Sequence, residues 1–107
     1  MADYNQRQDL INKFKSEVDQ ADWEMLRPHY ERGALFRVSE NVDIFEVAAS
    51  LALDDVHAVK GYLELNQIRK ADESDYRQYI KDKNKFFANF IVVQPYVLFQ
   101  PYLSEEI

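Results

Sequence analysis

The sequence predicts a single α+β domain with a small antiparallel sheet of about three strands. Apolar residues recur at three- and four-residue spacing along most of the chain, which is typical of amphipathic helices. β-Branched and aromatic residues instead concentrate in residues 86–102, which contain six of the fifteen aromatic residues and therefore favour a strand. The 107 residues suffice for one hydrophobic core but not for two domains.

The composition excludes several classes of protein. With 47% hydrophobic and 30% charged residues, two glycines and three prolines, the chain is neither disordered nor fibrous. A net charge of −6 disfavours binding to nucleic acids or anionic membranes. The absence of cysteine excludes disulfides, thiolate metal ligands and cysteine nucleophiles. Because no apolar run has the length of a signal peptide or membrane helix, we expect a soluble, cytoplasmic protein.

The first third of the chain contains two predicted helices. Apolar residues at helical spacing predict the first over about residues 5–19. Asp19 or Asp22 can cap the second. Pro28 lies inside its apolar stripe and lacks the amide that the helix would use, so we expect a kink or break just before it. Gly33 is well placed to end this helix in a left-handed conformation.

A strand and a helix are predicted next. Residues 34–38 form a short alternating segment that suits a strand. Asp43 and Glu46 then form a D-x-x-E variant of the capping box, which marks the start of a helix. Four apolar residues follow at i, i+3, i+4 and i+7: Ile44, Val47, Ala48 and Leu51. Asp54 and Asp55 end this helix and can cap another.

Two more helices are predicted beyond that point. The stripe after Asp55 is expected to face inward through Val56, Val59, Tyr62 and Leu63. Residues 67–71 are expected to be extended. Asp72 and Asp75 can cap the last helix, whose inward face would be Tyr76, Tyr79 and Ile80.

The apolar segment over residues 86–102 is predicted to be a strand that is bent or lies at a sheet edge. Pro95 removes one of the amides that a central strand donates. The spacing of apolar residues at its start also permits a helical turn, so the onset of the strand stays open.

Residues 34–71 resemble the centre of a winged-helix domain, in which two short helices lie between a strand and its returning neighbour. The apolar spacing is similar to that of bacterial helix-turn-helix repressors at Ala48, Leu51, Leu53, Val59 and Leu63. The resemblance implies a winged-helix-like core in residues 21–103, an N-terminal helix in residues 1–20 and a tail at 104–107. Because it concerns apolar spacing, it implies a fold rather than an activity.

A second resemblance covers most of the chain. It is carried by Trp23-Glu-Met-Leu-Arg-Pro-His29, Val42-Asp-Ile-Phe-Glu-Val-Ala48, Ala52-Leu-Asp-Asp55 and Ile91-Val-Val-Gln-Pro-Tyr-Val-Leu-Phe-Gln100. Together these strings resemble an uncharacterised family of small bacterial proteins, often cyanobacterial, known as a domain of unknown function. The last string is the most specific of them. The resemblance implies no activity, cofactor or catalytic residue.

A DNA-binding transcription regulator is the first alternative function. The helix after Asp55 would then enter the major groove, where basic and amide side chains are needed. Residues 41–68 instead carry five acidic side chains against Lys60 alone, a net charge of −4. The mixed-charge stretch over residues 69–85 has a net charge of +2 and is typical of a solvated helix face. We therefore favour a scaffold used for protein contacts.

A small metal- or histidine-dependent enzyme is the second alternative. Asp54, Asp55 and His57 could supply two metal ligands, but a site would need more from elsewhere. An aspartate cap and a solvated histidine explain the same residues. His29 has no recognisable nucleophile motif around it, and two glycines could hardly build a phosphate-binding loop. We expect no catalytic residue, metal site or cofactor.

The last apolar segment is the predicted working surface. An exposed strand this apolar risks aggregation, so the domain's own helices or another chain must cover it. The candidate interface residues are Phe90, Tyr96, Phe99 and Tyr102, because aromatic side chains are favoured as interface anchors. The sequence thus predicts a non-catalytic, cytoplasmic protein-interaction module that binds itself, as a homodimer, or another protein.

Overall fold

Five helices and a five-stranded sheet make up residues 3–81 and 86–103, the part of the chain that this computed structural model describes. The helices are α1 (Asp3–Glu17), α2 (Trp23–Glu31), α3 (Ile44–Ala52), α4 (Val56–Glu64) and α5 (Glu73–Lys81). The strands are β1 (Asp19–Ala21), β2 (Leu35–Val38), β3 (Ile68–Lys70), β4 (Phe86–Val93) and β5 (Tyr96–Leu103). The predicted tail, residues 104–107, lies outside the described residues.

The sheet has the strand order β1-β4-β5-β2-β3. All neighbouring strands are antiparallel except β2 and β5, which run parallel, so the sheet is mixed. Its centre is the β4–β5 hairpin, whose turn contains the cis Gln94–Pro95 peptide bond. Because Pro95 lies in this turn, its missing amide leaves the ladder between the two strands intact.

The prediction of about three antiparallel strands was wrong. The single strand expected over residues 86–102 is two strands, and both lie in the interior of the sheet rather than at an edge. The other difference is β1, a three-residue edge strand that pairs with β4. A strand of that length is too short to show alternation of apolar and polar residues, so no sequence pattern predicts it.

The α+β class is confirmed, whereas the winged-helix resemblance is not. The order β2, α3, α4, β3 occurs as predicted, and β3 returns antiparallel beside β2. The other neighbour of β2 is β5, which arrives from the far end of the chain and runs parallel to it. The sheet therefore continues through β5 to β4 and β1.

The helices cover both faces of the sheet. On one face, α2 and α5 pack through Trp23, Leu26 and Tyr79 against Leu35, Val97 and Phe99. On the other face, α1 and α3 pack through Phe14, Val47 and Ala48 against Val38, Ile91 and Leu98. Consecutive residues of β5 alternate between these two cores, as the pleat of a strand requires.

Local signals at the helix ends are largely confirmed. Asp22, rather than Asp19, caps α2 by accepting the Met25 N–H. Asp43 caps α3 through the Phe45 N–H. Gly33 follows α2 with φ of 74°, the left-handed conformation that was expected. A break before Pro28 does not occur, since α2 continues to Glu31 and its buried side chains hold it on the sheet.

Candidate interaction cleft

Helix α4 differs from the other described helices in how it packs. None of its residues is buried. Val56 is 72% exposed and Leu63 is 45% exposed, so the prediction that both face inward was wrong. The remaining residues of the predicted stripe, Val59 and Tyr62, are half-buried beside the core under α3. Helix α4 lies at the β3 edge of the sheet and contacts mainly α3 and β3, which leaves one side of its apolar stripe without cover.

The uncovered side of α4 borders an apolar cleft, which we call the α4 cleft. Its inner part is a cavity of about 170 Å³. The sheet contributes Phe36, Ile68, Tyr96 and Leu98 to the cavity lining, and the helices contribute Leu51, Val59 and Leu63. A wider outer groove of about 340 Å³ continues from the cavity along α4. Both parts share Leu51, Val59, Leu63 and Tyr96, so they form one continuous depression.

Tyr96 forms the lip of the α4 cleft. It is the first residue of β5 and is 41% exposed. Its ring meets the ring of Phe36 edge-to-face, with centroids 5.6 Å apart and planes at 89°. This arrangement is favourable for an aromatic pair and fixes the position of the lip.

One end of the cleft is acidic. Asp54 lines the outer groove together with Lys60, and both Asp54 and Asp55 line a neighbouring polar depression of about 580 Å³. Arg7 also lies there, but its guanidinium donates to Glu46 Oε1 at 2.9 Å and to Ser50 Oγ at 2.8 Å. The charge of Arg7 is thus offset by Glu46. Asp54 and Asp55 form no ion pair with any residue that the structure describes.

The four predicted interface residues do not form one surface. Phe90 and Phe99 are paired across β4 and β5 on the face covered by α2 and α5. Phe99 is fully buried there, 6.5 Å from the Trp23 ring, and offers nothing to a partner. Tyr96 and Tyr102 lie on the opposite face. Tyr102 stacks on Phe87 with centroids 6.4 Å apart.

The histidines lie apart from each other and have different surroundings. His57 is exposed on α4, next to the Asp55 that caps this helix through the Ala58 N–H. His29 is half-buried, with Nδ1 3.0 Å from the guanidinium of Arg32. Burial, and then the positive charge of Arg32, lower the pKa of His29 and favour its neutral form. Within residues 3–81 and 86–103, no three His, Asp or Glu side chains approach closely enough to hold a metal ion.

A buried charge cluster centres on Asp75, which the sequence predicted only as a cap of the last helix. The carboxylate is only 1% exposed and accepts from Arg37 at 2.8 Å and from Arg69 at 2.9 Å. It also accepts the Asp72 N–H. Burial alone would raise the pKa of Asp75, but these hydrogen bonds outweigh it and lower the pKa. The cluster ties β2, β3 and α5 together, which is a structural role.

These features define a class of small mixed α+β protein, with helices on both faces of its sheet and an open apolar cleft. No described helix is long and apolar enough to cross a membrane. Residues 9–101 match the family model described as "Protein of unknown function (DUF2288)", and the chain belongs to that family. The family of unknown function inferred from the sequence strings is thereby confirmed, whereas its cyanobacterial association is not.

The fold has a solved counterpart. The "NMR solution structure of PA1075 from Pseudomonas Aeruginosa" is similar, with a TM-score of 0.76 and 28% sequence identity. The similarity covers 92% of this chain and 89% of that chain. No curated protein matches the sequence.

Proposed function

We propose that the protein is a non-catalytic protein-interaction module that binds another protein through the α4 cleft. The observation that carries the proposal is the uncovered apolar stripe of α4. Val56 and Leu63 are exposed on the helix, and Tyr96 is exposed on the opposite side of the groove. Grouped apolar side chains around a cavity on a small domain are typical of a binding surface.

The surroundings of the cleft favour a protein partner over nucleic acid. Asp54 and Asp55 lie at the N-terminal end of α4, where a helix-turn-helix protein would meet DNA phosphates. Two carboxylates there repel a polyanion, and Lys60 is the single base in residues 41–68. A cytoplasmic location and the absence of a catalytic step belong to the same proposal, and a second copy of the chain is the alternative partner.

Site-specific photo-crosslinking in cells tests the proposed function. The photoreactive residue p-benzoylphenylalanine replaces Leu63 in the cleft or, as a matched control, Ile80 on α5. Ile80 is 55% exposed, so the prediction that it faces inward was wrong, and it belongs to a helix that covers the other face of the sheet. We expect a discrete protein adduct from position 63 that is absent from position 80.

The mass of the adduct identifies the kind of partner. An adduct of twice the 12.7 kDa chain mass would support an interaction module that binds its own copy. A different mass would support a module that binds another protein. Absence of any adduct at position 63, or equal adducts at both positions, would overturn the proposed function.

A further inference from the structure

We propose that the partner inserts one aromatic side chain into the inner cavity of the α4 cleft and places a basic side chain against Asp54 and Asp55. This inference rests on the proposed function and names the chemistry of the partner. It combines the size of the cavity with the distribution of charge along the cleft.

The inner cavity has the size and lining of an aromatic pocket. Its volume is about 170 Å³, and the seven side chains that line it are all aliphatic or aromatic. An apolar cavity of roughly 150 Å³ in a protein stays dry and takes up benzene. An aromatic ring from a partner would therefore fit beside Phe36 and Tyr96, whose rings already form an edge-to-face pair with each other. Aromatic side chains seated in such pockets supply much of the energy of protein interfaces.

The charge of the cleft selects the flanking residue of the partner. Asp54 is exposed, and its carboxylate has no hydrogen-bond or ion-pair partner among the described residues. Asp55 is half-buried and uses one carboxylate oxygen to cap α4. Lys60 also lines the outer groove, and the charge of Arg7 is offset by Glu46. Two carboxylates against the one remaining cation leave this part of the cleft with a net charge of −1. A lysine or arginine of the partner complements it, whereas an acidic residue is repelled.

The distance between the two subsites follows from α4 itself. Asp54 and Asp55 precede the first turn of the helix, whereas Val59 and Leu63, which line the cavity, lie one and two turns further on. At ~1.5 Å per residue, the acidic end and the cavity are roughly 6–12 Å apart along the helix axis. A helical partner spans this distance when its aromatic residue and its basic residue are one to two turns apart.

Matched peptides test the inference. The probe is a blocked, alanine-based 15-residue helical peptide with one phenylalanine and arginines four and seven residues after it. One control peptide replaces the arginines by glutamates, and the other replaces the phenylalanine by alanine. Binding is followed by ¹H–¹⁵N chemical-shift changes, which we expect at Val59, Leu63 and Tyr96 with the arginine peptide. Each control peptide should bind at least about tenfold more weakly.

Variants of the protein locate the two subsites. Asp54→Asn keeps a side chain that tolerates the left-handed conformation at φ of 58°, and it should weaken the arginine peptide about two- to fivefold. Leu63→Gln should weaken it more strongly. The matched control Glu73→Gln removes a surface carboxylate from α5 and should leave the affinity unchanged.

The possible results separate this inference from the proposed function. The inference is overturned if no peptide binds, if the glutamate peptide binds as tightly as the arginine peptide, or if the shifts fall outside the cleft. It is also overturned if crosslinking at position 63 captures a second copy or a partner without an aromatic and basic segment. In those last two cases the interaction module itself would stand.

Discussion

Asp75 is the side chain whose surroundings differ most from what its residue type suggests. A buried carboxylate is unfavourable unless hydrogen bonds and opposite charges compensate for the loss of water. Here Arg37 comes from β2 and Arg69 from β3, and both arginine side chains remain about one-third exposed. Each arginine thus binds the carboxylate while keeping part of its own hydration, which makes this geometry tolerable for the fold.

Asp75→Asn should destabilise the protein by about 2–4 kcal/mol, because it leaves two arginines facing a neutral group. Urea unfolding followed by circular dichroism measures the change. Glu73→Gln is the control, since it breaks an exposed ion pair with Arg77 and should cost less than about 0.5 kcal/mol. Equal effects of the two variants would show that the buried cluster contributes little.

The Asp75 carboxylate should also make the free energy of unfolding depend on pH. The pKa of Asp75 is lowered in the folded protein, so its contribution is present above the unfolded pKa of about 3.9 and is lost as the pH falls through the folded value. The difference in unfolding free energy between wild type and Asp75→Asn should therefore shrink as the pH falls below about 4. A difference that stays constant over this range would contradict the assignment.

At the scale of the elements, α2 and α4 both contain residues that mark where the helix begins. Only in α2 does the apolar stripe also predict which side chains are buried. Asp22 begins α2 and Gly33 follows its end, as their residue types predict. In α4, Asp55 caps the helix as expected, yet the apolar stripe is half uncovered. A stripe at helical spacing identifies an amphipathic helix, but it does not say how much of the stripe a neighbour covers.

The two glycines should respond in opposite ways to substitution by alanine. Gly33→Ala should cost about 1 kcal/mol, because φ is 74° and the new Cβ would lie 3.2 Å from Lys70 Nζ. The lysine end can move, but the backbone strain stays. Gly61→Ala, in the interior of α4 with open space around it, should gain roughly 0.5–1 kcal/mol from helix propensity. Thermal unfolding of both variants checks the sign of each change, and a loss of stability in Gly61→Ala would contradict the helical environment described for it.

At the scale of the whole molecule, the charge distribution argues against DNA binding more strongly than the net charge of −6 does. The acidic residues of the α3–α4 connection lie beside the apolar cleft, on the surface that a DNA-reading helix would use. We expect fluorescence anisotropy with a labelled 20-base-pair duplex to show no binding at low salt. Binding with an association constant whose logarithm falls linearly with the logarithm of the salt concentration would contradict this expectation.

The sequence alone determined the α+β class, the family of unknown function, the start of α3 and the glycine after α2, and it narrowed the caps of α2 and α4 to two aspartates each. These features depend on contacts between residues within about four positions of each other, or on the residue string itself, so a linear pattern contains them. Of the residues predicted for the interface, Tyr96 is exposed at the α4 cleft, whereas Phe99 is buried in the core.

Only the tertiary structure decided the number of strands, the exposed side of α4 and the partners of Asp75. The hairpin reaches β2 from a position more than sixty residues away in the chain, and Arg37 meets Asp75 across 38 residues. Such contacts depend on how several elements pack together. The apolar stripe of α4 is equally compatible with a helix buried in the core and with one that lines an exposed cleft. Packing therefore decided which of these two roles α4 has.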